Sequence, residues 1–212
     1  MTIRQKTVKS VLSAVLAVCV LLTAALPAFA APSVISGNAV LIDSTTGQVL
    51  FAKDMDAAIA PSGLVKLMTA LIAVESGTSL SEKLTVTSSA LEPLGTGYRS
   101  MDLVAGEQIP LEDCLYGMIL NSANDAANVI AESLGGSLDA FVEKMNAKAA
   151  ELGLEHTTFV NPNGLTEAGQ TTTCYDMALI LRYALSVQEF SRIFGTQECT
   201  ILPTNYTTNP RT

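Results

Sequence analysis

Apolar and polar residues alternate on both sides of Ser44–Gly47 in AVLIDSTTGQVLFAKD, residues 39–54. Period-two alternation around a turn-forming tetrapeptide predicts a β-hairpin with its turn near Gly47. From Leu64 the period changes to that of a helix. LVKLMTALIAVES, residues 64–76, is apolar nearly all round and stops at Gly77, so it is expected to be buried on most faces. Lys66 is its only basic residue.

Residues 84–104 read as irregular with short extended pieces. Pro110 suits the first helical position of PLEDCLYGMIL, with Glu112 and Asp113 at the positive end of the helix dipole. A break, NSAN, leads into DAANVIAESL, which Gly135 and Gly136 terminate. Ser137 can cap the next helix, whose stripe is Leu138, Phe141, Val142, Met145, Ala149 and Leu152. NPNGL at 161–165 is a turn signal, threonines 171–173 can cap CYDMALILRYALS, and QEFSRIF forms a shorter helix. The reading is one hairpin followed by about five helices. A two-stranded hairpin is marginal alone, so its apolar face needs more strands beside it. The sequence reaches TTNPRT without offering any, and the expectation is a domain truncated on its C-terminal side, the missing part mostly strand.

Composition narrows the class. With 212 residues, 49% hydrophobic and 15% charged, the chain can bury a core of its own. Residues 1–30 stand apart: Arg4, Lys6 and Lys9 precede the run VLSAVLAVCVLLTAAL, and Ala28-Phe29-Ala30 is a small-x-small cleavage pattern. The run is shorter than the ~20 residues a spanning helix needs, which favours a signal peptide and a mature domain over 31–212. Losing that segment removes three cations and no anions, taking the formal charge from −8 to −11. Such acidity argues against nucleic acid as a partner, since nothing could neutralise a row of phosphates. Cys114, Cys174 and Cys199 are an odd set at no metal-ligand spacing, allowing at most one disulfide. The single His156 lies in polar GLEHTT, so neither a metal site nor a histidine-based triad has material, and no cofactor is implied.

Two places could carry chemistry. Lys66, in the first turn of an apolar helix, is either desolvated into a usable base or reaches to water along its own stem. Ser122-Ala123-Asn124 at the helix break offers a hydroxyl and an amide, yet Ser122 with Asp125 equally fits a capping box, and Asn124 is also a common cap. Spacing alone leaves both open.

IAPSGLVKLMTALIAVE, LYGMILNSANDAANVIAE and FVNPNGLTEAGQTTTCYDMALILRYAL, in this order, resemble the D-alanyl-D-alanine carboxypeptidases, the low-molecular-mass penicillin-binding proteins. The likeness runs from about residue 39 to 195. It implies an α+β fold of the penicillin-binding protein and serine β-lactamase type, an antiparallel sheet flanked by helices with a mostly helical subdomain. It also implies an exported serine peptidase that trims peptidoglycan stem peptides ending in D-Ala-D-Ala through an acyl-enzyme, with β-lactams as inhibitors. Members often carry a C-terminal membrane anchor. Carried over by position, Lys66 matches the base that takes the nucleophile's proton, Ser122 the serine that relays protons to the leaving amine, and Asn124 the asparagine that bonds the substrate amide.

Two matches fail. The family writes Pro-Ala-Ser-x-x-Lys where this chain has Pro61-Ser62-Gly63-Leu64-Val65-Lys66, so Gly63 holds the nucleophile's place. Its Lys-Thr-Gly element, which clamps the substrate carboxylate, is not among residues 1–212. Gln170 is a smaller departure, standing where histidine is common. Ser62 lies four residues before Lys66, close enough for one helical face. One residue of slip nevertheless turns a side chain by about 100° and shifts it about 1.5 Å, so only a local distortion at Gly63 would make Ser62 a replacement. The alternative is a non-catalytic protein that binds cell-wall peptide or β-lactam.

Overall fold

The computed structural model describes residues 33–211. Residues 1–30, read above as a signal peptide, and the expected mature start at Ala31 lie outside the described residues. The chain divides into two units, residues 1–35 and 36–212, and all elements below belong to the second.

The predicted hairpin forms. Strand β1 (Ala39–Ile42) pairs antiparallel with β2 (Val49–Lys53), with a register irregularity between Leu41 and Ile42. In its turn the Asp43 carboxylate accepts from the Thr45 and Thr46 amides and the Thr46 hydroxyl, and Gly47 takes a φ of 77°. Leu41 and Leu50 remain more than half exposed, at 55% and 58%.

A single 3-10 turn, Ser62–Leu64, leads into helix α1 (Val65–Glu75). Then come β3 (Lys83–Thr85), the short α2 (Ser88–Leu91) and β4 (Gln108–Pro110). Helices α3 (Leu111–Leu120), α4 (Asn124–Gly135), α5 (Leu138–Glu151), α6 (Cys174–Ala184) and α7 (Gln188–Phe194) complete the order. The helical stretches read from the sequence all form, and the caps at Ser137 and Thr173 accept from Ala140 N and Asp176 N. Gly136 closes α4 in the left-handed conformation.

Three details differ from expectation. Strands β3 and β4 pair antiparallel as a second small sheet that the sequence reading missed, because three residues per strand carry too little alternation to register. The four-residue α2 is likewise too short to show a helical period. Pro110 is the last residue of β4 and the cap of α3 rather than its first helical residue; its ψ of 144° is extended, and the helix begins at Leu111.

Helix α1 is the centre of the fold. It packs against α3, α4, α5, α6 and α7, and every residue from Val65 to Ala73 is buried. That explains why its sequence lacks a polar face: neighbours cover it on all sides. Each fully buried Leu or Ile side chain here contributes about 1.5–3 kcal/mol relative to exposure. The rigid block so formed fixes the N-terminal end of α1, where the candidate site lies. None of the helices among the described residues is long and apolar enough to cross a membrane. Cys114, Cys174 and Cys199 are free thiols, and burial pushes that of Cys114 far above its usual range.

Candidate active site

Lys66 sits in the first turn of α1 and is 4% exposed, so the alternative of a stem reaching to water does not hold. Its Nζ donates to Asn124 Oδ1 at 2.7 Å and to the backbone carbonyl of Asn163. Among the described residues no carboxylate bonds it. Desolvation therefore outweighs the two acceptors and brings its pKa down from 10.5 to about 8.

Asn124 is the first residue of α4, and Ser122 lies two residues before it in the break after α3. Ser122 is half-buried with a φ of 56°, a left-handed conformation that costs a non-glycine residue on the order of 1 kcal/mol. Such strain persists only where its surroundings impose it. Here the surroundings are explicit. Asn121 N and Ala123 N both bond the Gly117 carbonyl, at 3.1 and 3.2 Å, and Asn124 N bonds the Arg99 carbonyl at 2.9 Å.

Asp125 supplies the rest. Its carboxylate, 1% exposed, accepts from Met101 N and Leu103 N at 3.0 Å and from Ser100 Oγ at 2.9 Å. It thus binds the 100–103 loop to the start of α4. The capping-box reading is accordingly wrong: the cap is Ala123, which makes no side-chain cap bond, and Asp125 reaches a different segment altogether. Among the described residues the Ser122 hydroxyl has no hydrogen-bond partner, and it lies beside Gly63 just before the N-terminal end of α1.

The turn at 161–165 does more than reverse the chain. Asn163 presents its carbonyl to Lys66 while its amide donates to Asn128 Oδ1 at 2.9 Å, and Asn128 donates in turn to the Ala90 carbonyl at 2.8 Å. Thr69, one turn along α1, bonds the Pro162 carbonyl at 2.7 Å. Gly164, with φ 85°, passes so close to the 3-10 turn that a Cβ there would lie 2.0 Å from the Ser62 carbonyl oxygen. Gln170 Oε1 accepts from the amides of Val160 and Asn161, so the residue at the place where histidine is common holds this turn in shape. Asp125, Asn128 and Asn163 were missed as site residues. Each is a common turn or helix residue by sequence, and only their distant partners reveal them.

Gly63 occupies the second position of the 3-10 turn, three residues before Lys66. A Cβ built on it would meet one atom within 4 Å, Ser122 Oγ at 3.6 Å. Position 63 therefore faces the second serine. Ser62 is exposed with φ 48°, and no hydrogen bond joins it to Lys66. The distortion that the sequence reading placed at Gly63 falls on Ser62 itself, so the two residues do not share one continuous helical face. His156 is exposed, and among the described residues no group of three or more His, Cys, Asp or Glu side chains could hold a metal ion.

This arrangement has known counterparts. A family model described as D-alanyl-D-alanine carboxypeptidase matches residues 26–210. The D-alanyl-D-alanine carboxypeptidase DacF of Bacillus subtilis is 37% identical over 165 residues, 76% of this chain and 42% of that protein. Penicillin binding protein 6B from Escherichia coli superposes with a TM-score of 0.76 at 30% identity, covering 87% of this chain and 61% of that one. The carboxypeptidase DacD from Francisella tularensis gives 0.73 at 31%, covering 78% and 40%. The chain thus spans less than two thirds of the length of each. With the α+β fold shared and the match running through both segments that meet at Lys66, the chain belongs to the D-alanyl-D-alanine carboxypeptidase family.

Proposed function

We propose that the site binds peptidoglycan stem peptides ending in D-Ala-D-Ala, and β-lactams in their place, but does not form the serine acyl-enzyme of its relatives. The observation that carries this reading is Gly63 facing Ser122 Oγ across 3.6 Å from its would-be Cβ, with Lys66, Ser122 and Asn124 assembled around it. Asn124 keeps its amide nitrogen for a substrate carbonyl while its Oδ1 holds Lys66. Ser122 can relay protons, and the Gly63 N–H retains the capacity to contribute to an oxyanion hole. What is missing is the hydroxyl that would become acylated, whose loss in serine hydrolases costs on the order of a million-fold.

A shifted role for Ser62 as nucleophile is the enzymatic alternative, favoured by its strained φ of 48°. We further take residues 1–30 as an export signal, which would place the mature domain from Ala31 on the cell-wall side of the membrane. The test is equilibrium binding of a D-Ala-D-Ala peptide and of benzylpenicillin to the full chain, with intact-mass analysis alongside. Binding without an ester adduct supports the reading; a hydroxylamine-labile adduct on Ser62 establishes the alternative.

A further inference from the structure

With no serine at position 63, the neutral form of Lys66 has no neighbouring hydroxyl of that kind to activate. Its own hydrogen bonds then become informative. A neutral amine has two N–H donors and one lone pair, whereas an ammonium has three donors. Two acceptors meet Nζ, Asn124 Oδ1 and the Asn163 carbonyl, and no third is found among the described residues. Both N–H groups of the neutral form are satisfied, so its lone pair is the part left uncommitted. The ammonium, by contrast, would bury a donor without a partner, which agrees with the lowered pKa.

The amine is buried, but Gly63 in the turn before it is exposed. Position 63 lies one helical turn before Lys66, the spacing at which a side chain would neighbour the amine on its exposed side. In this chain it is glycine, and only Ser122 Oγ lies within 4 Å of its would-be Cβ. Amines desolvated in this way are established nucleophiles toward carbonyl carbon.

We propose that Lys66 Nζ is itself the acyl acceptor of this site, opening β-lactams, as strained cyclic amides, to form a stable amide. The inference rests on the reading that the cleft admits β-lactams. A bond forms between Nζ and the lactam carbonyl carbon, the ring C–N bond breaks, and one amine proton passes by way of Ser122 Oγ to the ring nitrogen. No water or other reactant is consumed, and the chain gains the mass of one intact β-lactam. The product keeps a single N–H, so either Asn124 Oδ1 or the Asn163 carbonyl loses its donor, and the 161–165 turn changes its hold on α1. An amide, unlike an ester, is not discharged by water on the timescale of turnover. The site then acts once, as a covalent receptor.

The test incubates the full chain with benzylpenicillin between pH 6 and 9 and follows adduct formation by intact mass, with peptide mapping. The expected result is one intact β-lactam on the peptide carrying Lys66, resistant to neutral hydroxylamine, forming about tenfold faster per pH unit and levelling above about pH 8. In Gly63→Ser the adduct should move to position 63 and become hydroxylamine-labile. Lys66→Arg should abolish the adduct; should that variant fold poorly, mapping on the unaltered chain decides. Reversible binding with no adduct, or a hydroxylamine-resistant adduct at another residue, overturns this inference while leaving the proposed function standing; an ester adduct on Ser62 overturns both. Absence of any binding overturns both.

Discussion

Ser122 Oγ lies 3.6 Å from the point a Cβ on Gly63 would occupy, so the two segments that the sequence separates by 59 positions face each other across one van der Waals contact. A serine side chain at 63 would enter a position already bordered by the Ser122 hydroxyl. Gly63→Ser is therefore expected to raise ester-linked acylation by benzylpenicillin on the order of a million-fold above the unaltered chain, read by stopped-time mass analysis. No gain would mean that the surrounding site is not competent.

The turn at 161–165 is expected to be intolerant of volume. Gly164→Ala would place its Cβ 2.0 Å from the Ser62 carbonyl and force φ 85° on an alanine, a backbone cost of about 1–2 kcal/mol before the clash is counted. Denaturant unfolding should show a loss above about 2 kcal/mol, and the Lys66 pKa should move, since the same turn carries the Asn163 carbonyl.

Lys66 links stability to alkaline pH with a definite sign. Its folded pKa, about 8, is below the ordinary 10.5, so between these values the unfolded chain binds more protons and stability rises with pH. Below about pH 8 the penalty for burying the cation is complete; above about 10.5 it vanishes. Its full size is about 3 kcal/mol. Lys66→Met should flatten this rise, so that the parent chain gains stability relative to the variant from pH 8 to 10.5.

A second buried charge is Glu107. Glu107 is fully buried and pairs with Arg211 at 2.7 Å, while Thr204 Oγ1 donates to it at 2.7 Å. Arg211→Ala leaves that carboxylate unpaired and is expected to cost about 3–5 kcal/mol in a urea titration. The hydrogen bonds from Arg211 and Thr204 hold the Glu107 carboxyl below its usual 4.5, against burial, so its contribution is present above that pH and fades as pH falls through the lowered value. Glu107→Gln should accordingly remove part of the acid sensitivity of the parent chain.

Much of this was legible in the residues because the long elements carry strong periods. LVKLMTALIAVE announced a helix with no polar face, and the packing of five helices around α1 is its physical meaning. The caps at Ser137 and Thr173 could be read for the same reason, since a hydroxyl before an apolar run has one local use. Asp125 shows where such reading stops. By spacing it belongs to a capping box with Ser122, but its carboxylate spends its capacity on amides some two dozen positions earlier in the chain. Asn163 is similar: a turn residue locally, and a ligand of Lys66 only because the chain returns to α1 after 97 positions. Contacts between distant segments leave no period behind, and the site is made almost entirely of them.

The room left at Gly63 has one more implication. Position 63 is exposed, so the space a side chain would take there belongs to the surface and not to the core. Here nothing but Ser122 Oγ has come within 4 Å of the open point, and that atom remains at ordinary contact distance. A side chain at 63 therefore meets no steric barrier in the fold, and a single replacement there would stand beside Ser122 without any rearrangement of its neighbours.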